Sequence, residues 1–121
     1  MPYEKTPVIN NDLNKFDKFS KDDLILSANK PVNNQGMSEA ARGWEKHAGR
    51  KGGVFNPLKG NVEQKNAAAN NFVNEVLNNK STVKENLARG GVEYRLPDGR
   101  GIRYNSDGSF SGFLDPKRPK E

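Results

Sequence analysis

The feature that most constrains the fold is a change of apolar period at Ser81. Before it, Ala69, Phe72, Val73, Val76 and Leu77 recur at i, i+3, i+4, i+7 and i+8, the spacing of a helix with one buried face. After it, Val92, Tyr94 and Leu96 alternate with Glu93 and Arg95, Ile102 and Tyr104 flank Arg103, and Phe110 follows, the period of half-buried strands. Asn61 is a good N-cap, so the spacing predicts a helix over 62–78. Asp98-Gly99 and Asp107-Gly108 are turn signals between apolar runs, so the chain from Val83 onward reads as a meander of at least three antiparallel strands. An apolar helix face and an apolar sheet face must cover one another. The expected fold class is therefore α+β, with N-terminal helices packed on one face of a small twisted antiparallel sheet.

Register decides which side chains share a face. A three-residue loop at Pro97-Asp98-Gly99 sets Leu96 opposite Arg100, Tyr94 opposite Ile102 and Val92 opposite Tyr104. A three-residue loop at Ser106 to Gly108 sets Phe110 beside Tyr104 and Ser111 beside Arg103. One face then buries Val92, Tyr94, Leu96, Ile102, Tyr104 and Phe110, and the other presents Thr82, Lys84, Glu93, Arg95, Arg103 and Ser111.

Ser38 ahead of Glu39-Ala40-Ala41 caps an earlier helix running to about Ala48, with Gly49 ending it. Ala40, Ala41, Trp44 and Ala48 share its apolar face. His47, the only histidine, is turned toward Ala40 and Gly43 in the last turn, where the helix dipole favours a positive charge. It sits in the cationic run Trp44-Glu45-Lys46-His47-Ala48-Gly49-Arg50-Lys51-Gly52-Gly53. A group that changes charge near neutral pH among fixed cations suits phosphodiester cleavage; the bland alternative is a histidine that merely ends a helix. Gly49 to Gly60 is a loop pinned by Phe55, Pro57 and Leu58. Residues 1–36 read as a partly ordered lead-in or linker with one weak helix or turn between Asp12 and Leu26, and residues 37–121 as the domain carrying the chemistry.

The 121 residues allow one small core, since the apolar fraction is 32% and the mean hydropathy −0.96. Residues 1–36 hold five Lys and five Asp or Glu, so the net charge of +5 lies wholly on residues 37–121. A basic domain suits a polyanionic partner. The absence of cysteine excludes a disulfide framework and a thiolate zinc site. No apolar run approaches a membrane span, and the N-terminus does not read as a signal peptide. No clustered metal-ligand pattern, Walker loop or Gly-x-Ser-x-Gly elbow is present, so neither a metal nor a cofactor is expected.

Arginines and a carboxylate on one sheet face, next to a loop carrying His47, have the chemistry of a metal-independent ribonuclease. RNA supplies its own nucleophile, and the protein need only move a proton and stabilise charge on the phosphorane. The competing reading is a solvated face on which Glu93 and Arg103 simply pair.

The stretch Ser38-Glu39-Ala40-Ala41-Arg42-Gly43-Trp44-Glu45-Lys46-His47-Ala48-Gly49-Arg50 through Phe55 resembles the C-terminal toxin domains of bacterial polymorphic toxins. So does the ending Pro97-Asp98-Gly99-Arg100-Gly101-Ile102-Arg103-Tyr104 to Gly108-Ser109-Phe110-Ser111-Gly112-Phe113-Leu114-Asp115-Pro116. These domains are the contact-dependent growth inhibition effectors and their filamentous haemagglutinin-like and Rhs-type relatives. The similarity covers about residues 38–116. It implies a fold like the barnase, EndoU, colicin and RelE ribonucleases and an endoribonuclease cutting tRNA. It further implies a secreted or cell-surface effector fragment acting in the cytoplasm of a target bacterium and neutralised by a cognate immunity protein, and it leaves room for a host activating protein. The expected catalytic set is His47, Arg103, Arg95, Thr82 and Tyr104. The expected substrate-binding set is Arg50, Lys51, Lys59, Lys84 and Arg100; of both sets, Arg100 and Tyr104 point partly toward the packed face. The alternatives are a non-catalytic nucleic-acid-binding module and a DNA-cleaving toxin. A membrane-active toxin is disfavoured, because the polar face of the second helix is rich in Asn and poor in positive charge.

Overall fold

The computed structural model describes Phe16 and residues 18–117; the expectations for residues 1–15 lie outside them. Helices α1 (Lys21–Ala28), α2 (Glu39–His47) and α3 (Val62–Asn78) precede strands β1 (Val83–Asn86), β2 (Val92–Arg95), β3 (Gly101–Tyr104) and β4 (Phe110–Leu114). The strands form one antiparallel sheet in the order β1-β2-β3-β4, with the helices on one face. The α+β expectation holds.

Local chemistry sets the element ends. Ser20 and Asn61 close capping boxes with Asp23 and Gln64, and Ser38 Oγ accepts from the Ala41 N–H at 3.0 Å. The three strand connections share one turn. Gly90, Gly99 and Gly108 take φ of +94°, +95° and +89°, the third position of a three-residue hairpin loop that only glycine occupies without strain. The Ala88-Arg89-Gly90 turn lacks the Asp-Gly signal of the other two and adds the fourth strand.

Tyr94 pairs with Ile102 and Val92 with Tyr104, in the expected register. Phe110 also stands opposite Tyr104. Ser111 does not stand opposite Arg103: the register shifts there, Ser111 is the extra residue of a bulge and Gly112 takes the position. Lys84 pairs with Tyr94 and so lies on the packed face rather than the open one. Thr82 precedes β1; it is buried, and its Oγ1 donates to the Val76 carbonyl at 2.5 Å.

The core joins α3 (Ala69, Phe72, Val73, Val76, Leu77) to Tyr94, Leu96, Ile102, Tyr104, Phe110 and Phe113 of the sheet region. Trp44, Phe55, Phe72 and Phe113 pack as an aromatic cluster with centroids 5.1–5.8 Å apart, mostly edge to face or tilted. Helix α1 belongs to the same core: Leu24 and Ala28 are buried, and Tyr104 Oη donates to the Leu24 carbonyl at 2.8 Å.

Candidate active site

Helix α2 runs along the β4 edge because Gly43 lets it approach; a Cβ there would sit 3.3 Å from Phe110 Cε2. Its last turn therefore reaches the end of β4, where His47 meets Asp115. His47 Nε2 is 2.7 Å from Asp115 Oδ2, and the imidazole packs edge-on against Phe55 at 5.2 Å. Asp115 Oδ1 accepts from the Val54 N–H at 2.9 Å. Burial alone would raise the Asp115 carboxyl, but the Val54 N–H, His47 and Arg50 outweigh it and hold it below the ordinary carboxylate value. An ionised carboxylate only accepts, which assigns a proton to Nε2 and leaves Nδ1 as the basic nitrogen. No described protein group engages Nδ1.

His47 lines a hollow of about 200 Å³ together with Lys46, Arg50, Arg103, Ser111 and Gly112. A Cβ at Gly112 would meet nothing within 4 Å, so the glycine opposite Arg103 is what leaves the floor open. Arg103 projects from β3 with its side chain 45% exposed, and its Nε donates to Glu93 Oε2 at 3.0 Å while Nη2 contacts the same oxygen. Nη1 remains for a ligand. Glu93 is only 4% exposed. Burial would raise its carboxyl, but the Arg103 hydrogen bond and the charges of Arg103, Arg95 and Lys117 bring it below its ordinary value. The Glu93–Arg103 pair is thus present, with the carboxylate buried and the guanidinium partly exposed.

The other expected residues divide by surroundings. Arg95 is largely spent on the protein: Nη1 donates to the carbonyls of Gly99 (2.7 Å) and Asp115 (3.0 Å), and Nη2 lies 3.5 Å from Glu93 Oε1. It ties the hairpin tip and the Asp115 backbone to Glu93. Arg100 reaches toward the helices, pairing with Asp98 at 2.8 Å over the Phe72 ring at 5.0 Å. Tyr104 is fully buried, and burial pushes its hydroxyl far above the usual range. Lys51 and Lys59 are exposed on the loop between α2 and α3. Lys84 lines a separate hollow on the packed face with Lys18, Phe19 and Tyr94. The site therefore unites His47, Arg103 and Arg50, with Arg95 behind them, and not Thr82, Tyr104, Lys84 or Arg100.

Asp115 is the candidate site residue that sequence reasoning passed over. Its signal was a lone acid just past the last strand of a basic domain, and only the α2–β4 contact reveals its partner. Among the described residues no group of three or more His, Cys, Asp or Glu converges to hold a metal, and no helix is long and apolar enough to cross a membrane.

Comparison with known proteins agrees with this architecture. The family profile described as the CdiA C-terminal tRNase toxin domain matches residues 25–115. The crystal structure of the toxic C-terminal tip of CdiA from Pseudomonas aeruginosa, in complex with immune protein, is similar over 74% of this chain and 98% of that one, with 32% identity and a TM-score of 0.57. No functionally curated protein matches. The chain belongs to the CdiA C-terminal tRNase toxin domain family, and is an endoribonuclease toxin domain.

Proposed function

We propose that this toxin domain cleaves tRNA without a metal, by attack of a ribose 2′-hydroxyl on the adjacent phosphorus. The observation that carries the reading is the His47–Asp115 pair opening onto the same hollow as Arg103 and Arg50. Asp115 orients the imidazole and fixes its tautomer. His47 Nδ1 takes the 2′-hydroxyl proton as the new O–P bond forms. The P–O5′ bond then breaks, and the imidazolium returns the proton to the departing 5′-oxygen. The products are a 2′,3′-cyclic phosphate and a 5′-hydroxyl. Arg103 Nη1 and Arg50 stabilise the charge on the phosphorane oxygens, with Glu93 and Arg95 holding Arg103 and Asp115 in place. Lys46, Lys51 and Lys59 attract the RNA backbone.

Residues 37–121 carry this chemistry, and residues 1–36 are the lead-in, of which α1 buttresses Tyr104. The likeness to a CdiA tip solved with immune protein supports delivery of this domain into the cytoplasm of competing bacteria. It also supports neutralisation by a cognate immunity protein; a partner that plugs the basic cleft would be acidic where it meets it, and one that binds elsewhere need not be.

The test is incubation of bacterial tRNA with the chain and with His47→Ala in EDTA, followed by end-group analysis. Cyclic phosphate ends from the parent alone are expected. Equal cutting by both would move the chemistry off His47, and loss of cutting in EDTA would refute metal independence.

A further inference from the structure

The open sheet face carries a second hollow beyond Arg103, and the catalytic reading does not use it. Its volume is about 390 Å³, and it lies between the β1–β2 turn (Leu87, Arg89, Gly91) and the β3–β4 turn (Asn105, Ser106). Arg103 and Ser111 line both this hollow and the His47 hollow, so the two adjoin on either side of one arginine. In an antiparallel meander these turns lie at the sheet end opposite Asp115. The pair of hollows thus forms a track along β3 and β4, with about 13 Å of strand between Ser111 and Asp115.

Three features make the second hollow suited to a nucleotide. Its walls are fixed: a Cβ at Gly90 would come within 3.0 Å of Ser106 Cβ, and one at Gly91 within 3.0 Å of the Tyr104 carbonyl oxygen, so the two turns are in tight contact. Its chemistry is mixed, with half-buried Leu87 as an apolar wall and exposed Arg89 and Ser111 at its edges. Asn105 Nδ2 is held by Ser109 Oγ at 2.9 Å, which turns the amide into a fixed group whose Oδ1 can accept from a base edge. Arg89 forms no ion pair among the described residues, so its guanidinium is available to a phosphate.

The geometry points to a base-reading subsite: this hollow holds the nucleotide next to the scissile phosphate, with Asn105 reading the base edge and Arg89 holding its far phosphate. The inference rests on the catalytic reading, because it takes Arg103 as the group that holds the scissile phosphate between the two hollows. RNA-reading proteins select unstacked nucleotides by base-edge hydrogen bonds and packing against the base plane.

The experiment compares the parent chain with Arg89→Ala, Asn105→Ala and, as a charge control on the helix side, Lys30→Ala. Each is given total bacterial tRNA, the cut ends are sequenced, and rate is followed against tRNA concentration; thermal unfolding checks that each variant is folded. Arg89→Ala should raise KM several-fold with kcat within about threefold of the parent. Asn105→Ala should relax base preference at one position beside the cut by about tenfold, with the Lys30→Ala profile unchanged. Unaltered KM and unaltered base preference in both variants, with the parent still cutting, would overturn the subsite and leave the catalytic reading standing. A parent chain that cuts no tRNA would overturn both.

Discussion

At the scale of residues, the candidate site has two carboxylates, one against an imidazole and one against guanidinium groups, and the pairings differ in chemistry. Asp115 acts on a proton carrier. Asp115→Asn keeps the shape but removes the charge that assigns the tautomer, so tRNA cleavage should fall by about 10²–10⁴-fold with the variant still folded at the assay temperature; a loss under threefold would reduce Asp115 to a loop anchor for Val54. Glu93 acts on fixed charges. The carboxyls of both acids are depressed in the folded protein, so each contributes stability that is complete above its unfolded value and is lost as pH falls through the folded one. Urea unfolding should give a plateau near neutrality and a decline below about pH 4.5. Glu93→Gln should lower the plateau by about 1–3 kcal/mol, because a hydrogen bond to a charged group is lost, and flatten the acid decline. An unchanged acid slope would mean that Glu93 is not the group titrating.

At the scale of elements, two short pieces have more influence than their sequence suggests. Helix α1 has mixed composition and weak apolar patterning, yet Leu24 is 1% exposed and its carbonyl takes the Tyr104 hydroxyl. Leu24→Ala should therefore cost about 2–5 kcal/mol by denaturant unfolding, whereas a lead-in independent of the fold would show no change. The β4 bulge places Gly112, not Ser111, opposite Arg103. Since a side chain at Gly112 meets open space, Gly112→Val should fold with a Tm within a few degrees of the parent and lose at least tenfold in tRNA cleavage by filling the hollow. Full activity in that variant would show that RNA does not enter there.

At the scale of the whole molecule, helices cover one sheet face and leave the other open, the face along which the proposed RNA path runs. Binding to tRNA by a His47→Ala chain should weaken linearly on a logarithmic salt scale, and Arg50→Ala should reduce the slope by about one ion released per lost phosphate contact; a slope unaffected by Arg50 would remove it from the RNA path. The α+β class, helices α2 and α3 with their caps, and the β2–β3 register were legible in the sequence, because apolar period, capping residues and Asp-Gly turns act over a few neighbouring residues. The candidate site was partly legible: His47 and Arg103 stood out by chemical type, Thr82 and Lys84 were placed by register on an open face that they do not share, and Arg100 and Tyr104 point to the packed side as their register implied. A one-residue bulge, a helix crossing at Gly43 and the docking of α1 are long-range packing outcomes that no local pattern records. The sequence by itself determined which elements form and which residue can carry a proton. Only the tertiary structure decided that Asp115, 68 positions away along the chain, is the partner of His47, because that contact exists only once α2 is packed along the edge of β4.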